Sequence, residues 1–215
     1  MKRIICALLC AVMLVCSLTG CISTFDAKAY VQGNLDVVYL NKITDEYLKI
    51  VTNSKEELNE IYETGLAVEA DYFASYFDFD MELAPEGTKE RIIEVYRQIY
   101  AYSKYEVGEP TKSGDDYLVS ITIYPIDIMQ QINDEGWAQF EEDWLAMSET
   151  LSTMTDEELE AAWTEMILDM VESYIPKIGY LEPETISVQV VKGDDGAYVI
   201  SDNDFGRIDT LIIQY

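Results

Sequence analysis

The sequence predicts an α+β fold, in which several amphipathic helices pack on a curved antiparallel sheet of about four or five strands. Apolar residues recur with helical spacing over most of the chain. Two segments, at 117–124 and 186–190, instead alternate apolar and polar residues, as strands with one buried face do. Each of them is joined to a neighbouring strand by a glycine-containing turn, so the sheet is predicted to contain two hairpins.

The first predicted helices begin at residues that satisfy the free backbone amides of a helix N-terminus. Asp26 caps a helix that runs to about residue 40, and residues 44–51 form a short helix. Ser54 and Glu57 match a capping box before a long helix. The predicted inward residues of that helix are Leu58, Ile61, Tyr62, Leu66, Phe73 and Phe77, and its predicted solvated residues are Glu56, Glu60, Glu63 and Glu69.

The middle of the chain changes from helical spacing to strands and back again. A helix begins near Thr88. The first hairpin joins strands at 104–109 and 117–124 through a turn at 110–115. Helical spacing then returns over residues 126–151.

The last part of the chain repeats this order of a helix followed by a hairpin. Thr155 and Glu158 form a second capping box. The predicted inward residues of the helix behind it are Leu159, Trp163, Met166, Ile167 and Met170. A second hairpin follows around a turn at 193–196. The final segment is either a helix capped by Asp202 or an edge strand at 211–214, and the pattern leaves both open.

The N-terminal residues have the order of features of an export signal. Two basic residues precede an apolar run at 4–16, which is too short to span a bilayer. The segment Leu18-Thr19-Gly20-Cys21 follows and resembles the lipobox of bacterial lipoproteins. That resemblance implies that residues 1–20 are a cleaved signal peptide. It also implies that Cys21 carries a diacylglycerol anchor with acyl chains such as palmitate.

The predicted organisation therefore has three parts: a signal peptide at 1–20, a lipidated cysteine with a short tether at 21–25, and a single α+β domain at 26–215. A tether of four residues after Cys21 reaches at most about 14 Å. The domain is therefore expected close to the extracytoplasmic face of the cell membrane. The other three cysteines lie within the signal, so no internal disulfide is expected.

The charge of the chain limits its partners. Two of the 14 basic residues lie in the signal, so the remainder has 12 basic and 41 acidic residues, a formal charge of −29. Such a surface repels phosphate backbones, which excludes nucleic acid as an expected partner. It favours instead a basic membrane or cell-wall protein.

The absence of histidine excludes the commonest catalytic chemistry. Without imidazole, Ser-His-Asp and Cys-His catalysis and most zinc sites cannot be built. No Gly-x-Ser-x-Gly motif, Ser-x-x-Lys motif or glycine-rich phosphate loop occurs. We therefore predict no catalytic residue and no cofactor.

The densest carboxylate cluster outside a helix is formed by Asp78, Asp80 and Glu82, which are weak candidates for binding Ca²⁺. Leu83 occupies the position at which an EF-hand loop requires glycine, so a solvated turn is favoured and no metal site is predicted. Asp127, between two isoleucines, is interpreted as a helix N-cap rather than a catalytic acid.

Four aromatic residues with helical spacing leave two interpretations open. They are Trp137, Phe140, Trp144 and Trp163. They either line a ligand pocket or belong to the core, and their spacing favours the core.

The overall pattern resembles a family of small, uncharacterised lipoproteins of Gram-positive bacteria, whose domain resembles the NTF2-like and cystatin-like α+β cone. The resemblance lies in the strand at 105–109, the Ile-Tyr-Pro-Ile-Asp run at 123–127 and the Gly-Asp-Asp-Gly-Ala-Tyr turn at 193–198. It implies a location and a fold, and no mechanism.

The function expected from these observations is that of a membrane-anchored, non-catalytic binding or scaffolding module. The alternative is a carboxylate-dependent cell-wall hydrolase, since paired acids can cleave glycosidic bonds without histidine. A third candidate, the solute-binding receptor of a transporter, is less favoured because that class has two lobes with parallel-sheet character.

Overall fold

A computed structural model describes residues 25–215, so the predicted signal peptide and Cys21 lie outside the described residues. The described chain divides into two compact units. Unit 1 comprises residues 25–65, 103–125 and 182–212, and unit 2 comprises residues 66–102, 126–181 and 213–215. The single domain over 26–215 stays a prediction. Between residues 25 and 215, no helix combines the length and the apolar character needed to cross a membrane.

The elements follow one another in the predicted order of helices, hairpin, helices, hairpin. The helices before the first hairpin are α1 (Ala27–Leu40), α2 (Asp45–Leu48), α3 (Lys55–Tyr76) and α4 (Thr88–Tyr100). The strands of that hairpin are β1 (Lys104–Val107), β2 (Thr111–Ser113) and β3 (Asp116–Tyr124). The next helices are α5 (Ile128–Gln131), α6 (Trp137–Ala146), α7 (Ser148–Leu151) and α8 (Asp156–Tyr174). The chain then forms β4 (Glu184–Lys192), β5 (Tyr198–Ile200) and α9 (Asp202–Ile212).

Unit 1 contains a curled antiparallel sheet with the order β1-β3-β4-β5, in which β2 also pairs with β3. The alternation in the sequence determines which face is buried. Val119, Ile121 and Val188 are fully buried, whereas Leu118 on the opposite face of β3 is 41% exposed. Helices α1 and α9 lie against β3. The predicted α+β class and the two antiparallel hairpins are confirmed.

The first hairpin differs from the prediction in its turn. Residues 111–113 were expected in the turn and instead form β2. Val107 pairs with Ile121 and Thr111 with Leu118, so β1 and β2 have one residue more than β3 over this stretch. Such a bulge interrupts the ladder and bends the strand. The extra residue lies between Thr111 and Gly108, whose amide still donates to the Ser120 carbonyl at 2.8 Å. A Cβ atom at Gly108 would lie 2.3 Å from the Ser120 hydroxyl oxygen.

Helix α9 resolves the open alternative for the last segment. The amide of Asp204 donates to the Ser201 hydroxyl, so the capping side chain lies one residue before the predicted Asp202. The Asp204 carboxylate in turn accepts a hydrogen bond from the Gln189 amide at 2.8 Å. This bond satisfies a backbone donor of β4 beyond the end of β5, where an open strand edge would otherwise invite pairing with another chain.

The predicted helix starts are confirmed by their side-chain bonds. Asp26 accepts from the amide of Ala29, and Ser54 and Glu57 exchange the two bonds of a capping box. In unit 2, Thr155 and Glu158 form the second capping box, at the start of α8. These motifs involve residues no more than three positions apart, so they form wherever the helix begins.

Unit 2 consists mainly of helices, and the predicted helix at 126–151 is interrupted twice. A π-helical turn at Ile132–Gly136 separates α5 from α6, and Met147 separates α6 from α7. Gly136 lies at the end of the π-helical turn and allows close packing on α8. A Cβ atom there would lie 3.2 Å from the sulfur of Met170.

Two predicted side-chain orientations in unit 2 were wrong. Glu69 was expected in solvent but is 7% exposed, because it lies three residues after Leu66 and four before Phe73, on the same buried helix face. Leu159 was expected inward but is 38% exposed. The buried residues of α8 are Thr164, Ile167, Leu168, Val171 and Tyr174.

The two faces of β3 provide a test of the fold. We expect Ile121→Ala to lower the free energy of unfolding by about 2–5 kcal/mol, because it leaves a cavity in the core. Leu118→Ala, on the exposed face of the same strand, is expected to cost about 1 kcal/mol or less. Urea denaturation followed by circular dichroism measures both. Equal losses for the two variants would contradict the buried face assigned to this sheet.

Candidate functional site

The described part of unit 2 contains a cleft of about 350 Å³ with an unusual lining. We call it the acidic–aromatic cleft. Four carboxylates, two tryptophans and two leucines line it: Asp78, Asp80, Asp156, Glu160, Trp144, Trp163, Leu83 and Leu159. A volume of this size accommodates one side chain or a small ligand.

One wall of the cleft is the turn that follows α3. Asp78 has a φ of +54°, a left-handed conformation that Asp and Asn adopt more readily than most residues. Asp80 holds the turn in place through two bonds: its carboxylate accepts from the amide of Glu82, and its own amide donates to Glu160 at 3.1 Å. The turn is therefore tied to α8 at the level of the cleft.

The opposite wall is the first half of α8. The capping box at Thr155 sets where this helix begins, and residues three and four apart then share one face. Asp156, Leu159, Glu160 and Trp163 follow this spacing and all line the cleft. The indole nitrogen of Trp163 donates to the backbone oxygen of Phe77 at 2.9 Å, which fixes its ring.

The aromatic part of the lining is a corner of two rings. Trp144 and Trp163 are partly exposed, their ring centroids lie 5.4 Å apart and their planes meet at 85°. Phe140 is buried behind them and lies 5.1 Å from Trp163, again edge to face. Edge-to-face packing of this kind is favourable for aromatic rings.

No basic side chain balances the carboxylates of the cleft among the residues that line it. Unit 2 contains 22 acidic and four basic residues, a formal charge of −18, and residues 113–176 include no Lys or Arg. The four basic residues contact groups that do not line the cleft. Lys89 pairs with Asp71, Arg97 with Glu94, Lys177 lies over the Tyr174 ring, and Arg91 binds Glu165, Asp169 and Glu172.

The structure brings some of the predicted site residues together and separates others. Asp78 and Asp80 line the cleft, and Glu82 does not. Among residues 25–215, no group of three or more acidic, His or Cys side chains is arranged to hold a metal ion. Sequence reasoning missed Asp156 and Glu160 as site residues, because their spacing is that of any solvated helix face.

The four aromatic residues singled out in the sequence fall into two groups, those that line the cleft and those that do not. Trp144 and Trp163 line the cleft, as the pocket interpretation expected. Phe140 is buried, as the core interpretation expected, and Trp137 packs against Phe77 and Phe140. The core interpretation is therefore correct for Phe140, and ligand binding at Trp144 and Trp163 stays a prediction.

A second groove, of about 410 Å³, lies between α6 and α8 in unit 2. Its lining includes Gly136, Phe140, Met166, Met170 and Tyr174. Its lining also includes Asp143 and Asp169 together with Lys177, so it lacks the uniform charge of the cleft.

Asp127 occupies the predicted N-cap position of α5 but makes different bonds. Its side chain makes no capping bond to the helix. Instead, the carboxylate accepts from the amide of Gly179 at 2.8 Å and from the side chain of Gln131. Asp127 therefore joins α5 to the segment after α8, and it lines neither groove of unit 2.

Asp209 in unit 1 is a carboxyl whose pKa lies near neutrality. Burial raises the pKa of Asp209 to about 6, and the hydrogen bond that it accepts from Tyr39 at 3.3 Å acts in the opposite direction. It lines neither of the grooves of unit 2.

Comparisons with known proteins show the fold. No protein-family model matches the sequence, and no curated protein matches it significantly. Among solved structures, the chain is similar to the crystal structure of YcdA, a candidate lipoprotein from Bacillus subtilis, with a TM-score of 0.60 and 18% sequence identity. The match covers 88% of this chain and 56% of YcdA, so the chain spans little more than half the length of that protein. The resemblance to NTF2-like and cystatin-like domains stays a prediction.

The raised pKa of Asp209 predicts a pH dependence of stability. In the unfolded chain this carboxyl ionises near pH 4, so between about pH 4 and 6 the folded state holds a proton that the unfolded state has lost. Stability from this group therefore falls as the pH rises through that window. We expect Asp209→Asn to raise the melting temperature at pH 7 and to have little effect near pH 4.

Calorimetry measures the melting temperatures of the wild type and of Asp209→Asn between pH 4 and pH 7. The exposed Asp194→Asn in the same unit is the control, and its difference from the wild type should not change over the same window. A gain for Asp209→Asn that is equal at pH 4 and pH 7 would show that burial does not raise this pKa.

Proposed function

We propose that this protein is an extracytoplasmic lipoprotein, anchored in the cell membrane through Cys21. The order of basic pair, apolar run, small residues and cysteine at 1–21 supports the anchor. The fold that the chain shares with YcdA, itself a candidate lipoprotein, agrees with this assignment. Two acyl chains hold a protein in a membrane far more firmly than one.

We further propose that the domain is a non-catalytic binding module and that the acidic–aromatic cleft is its recognition surface. One observation carries this proposal: four carboxylates and two partly exposed tryptophans line one cleft, and no basic side chain lines it. Tryptophan is one of the residues enriched in the hot spots of protein interfaces, and unbalanced carboxylates attract positive charge.

Binding is favoured over catalysis by the placement of the titratable groups. General acid–base catalysis at neutral pH is most efficient with a group whose pKa lies near 7, and the chain contains no histidine. Asp209, the carboxyl with a pKa of about 6, lies outside the cleft. The alternative of a carboxylate-dependent cell-wall hydrolase would use two acids of the cleft, and it is testable with the same protein.

The partner expected for this cleft is a basic membrane or cell-wall protein. The formal charge of −18 on unit 2 steers positively charged surfaces towards it, and this attraction weakens when salt screens it. A short tether after Cys21 favours partners that lie at the membrane surface or in the inner wall.

The lipid anchor is tested by Cys21→Ala. We expect this variant to lose all labelling by a radioactive fatty acid and to accumulate unprocessed or to be shed into the medium. Cys16→Ala, a change in the apolar run before the cleavage site, is the matched control and should be labelled normally. Normal labelling of Cys21→Ala would exclude Cys21 as the lipid-bearing residue.

Recognition by the cleft is tested with a double variant, Asp78→Asn with Asp156→Asn, in a protein that begins at Phe25. We expect its affinity for a lysine-rich decapeptide to fall about threefold to tenfold at low ionic strength, because two exposed charges are removed. The exposed Glu141 and Glu142, which line neither groove, supply a control with the same change in net charge when both are replaced by Gln.

Equal losses for the two double variants would mean that the peptide responds to net charge alone, which would contradict a role for the cleft. The same purified proteins are incubated with cell-wall glycan and peptide. If the wild type hydrolyses either substrate and the double variant Asp78→Asn with Asp156→Asn does not, the hydrolase is supported and the binding module is contradicted.

A further inference from the structure

We infer that the acidic–aromatic cleft binds one alkylammonium group, the kind of cation that a lysine side chain carries. This inference rests on the proposed function and names the chemistry that the cleft recognises. It concerns a single cationic head group rather than the diffuse attraction of a basic surface.

The two tryptophans offer aromatic rings to a cation. The face of an indole ring is electron-rich and attracts a cation that lies within about 6 Å of its centroid. The planes of Trp144 and Trp163 meet at 85° with centroids 5.4 Å apart, so a compact head group in the corner would contact both rings. Both side chains line the cleft and are partly exposed.

The four carboxylates supply negative charge and hydrogen-bond acceptors for the same cation. Asp78, Asp80, Asp156 and Glu160 belong to the same lining, and no basic side chain of the described chain lines the cleft beside them. An ammonium group has three donors and therefore bonds to carboxylates placed on different sides of it. The aromatic walls select an organic cation, since a hard metal ion prefers oxygen ligands alone.

The two leucines of the cleft indicate the shape of the ligand. Leu83 and Leu159 complete the lining, so the cleft contains apolar surface beside its charges. A lysine side chain matches this combination, because its hydrocarbon stem packs on apolar groups while its ammonium remains polar. Arginine fits less well, because its planar guanidinium stacks flat on one ring and pairs with carboxylates in its own plane.

The three tryptophans of the chain make a direct experiment possible, since the third, Trp137, does not line the cleft. The protein from Phe25 onwards is labelled with ¹⁵N at its indole nitrogens and titrated with n-butylammonium, with n-butanol as the neutral probe and with n-butylguanidinium. We expect n-butylammonium to shift the Trp144 and Trp163 signals in a saturable manner and to leave Trp137 unchanged. n-Butanol should cause no saturable shift, and n-butylguanidinium should bind more weakly.

Three variants separate the role of the ring from a loss of structure. Trp144→Leu should weaken n-butylammonium binding about fivefold to tenfold, and Trp144→Phe should restore part of it because it returns an aromatic face. Trp137→Leu, the control outside the cleft, should bind as the wild type does. The retained Trp163 signal reports whether each protein is folded.

The outcomes distinguish this inference from the proposed function. Salt-sensitive capture of the lysine-rich peptide without any shift of Trp144 and Trp163 by n-butylammonium would overturn the inference and leave the binding module standing. Equal shifts by n-butanol and n-butylammonium would also overturn it, because the cleft would then bind apolar groups regardless of charge. A saturable shift without peptide capture would support the cation site and refute a basic protein as its partner.

Discussion

The excess of negative charge is the constraint that the described structure has to satisfy. In unit 2, 22 acidic side chains accompany four basic ones, and self-repulsion of this kind opposes a compact state. Arg91 on α4 counters it by binding Glu165, Asp169 and Glu172 on α8. Glu172 accepts two bonds from the guanidinium, at 2.8 and 2.9 Å, and these bonds raise the pKa of Arg91 above its ordinary value. One arginine on α4 therefore neutralises part of the acidic face of α8 and connects the two helices.

Several other acids are placed where their charge costs little. The first turn of α8 contains Asp156, Glu157 and Glu158, where the positive end of the helix dipole favours carboxylates. In unit 1, the buried Asp36 accepts bonds from Tyr105 and Gln32 and pairs with Lys42, so burial does not leave it unpaired. The part of the chain that the structure describes contains no cysteine and therefore no disulfide. The burial of apolar side chains has to stabilise the fold instead.

The acidic–aromatic cleft gathers several acids in one place, including Asp156 from the first turn of α8. Its four carboxylates lie beside aromatic rings and share their space with no basic side chain of their own. Other acids of unit 2 have a basic partner, as Asp71 has in Lys89 and Glu172 has in Arg91. A ligand that supplies a positive charge and an apolar stem would satisfy both parts of this lining, which is the physical basis of both proposals.

Local patterns determined most of the secondary structure. The capping boxes at Ser54 and Thr155 and the alternation over 117–124 were predicted correctly, because each depends on residues within a few positions of one another. The absence of histidine and the sign of the charge also follow from the sequence alone. These features limit the chemistry, but they do not locate a site.

Only the tertiary structure decided which side chains share a surface. Helical spacing gives the same prediction for the buried Phe140 and for the partly exposed Trp144 and Trp163, because exposure depends on what packs on the helix from distant parts of the chain. Likewise, the turn at Asp78 meets α8 through the bond from Asp80 to Glu160, between residues far apart in sequence. A periodic pattern identifies the face of one helix, whereas a cleft exists only between elements, and their contacts are set by the packing of the whole unit.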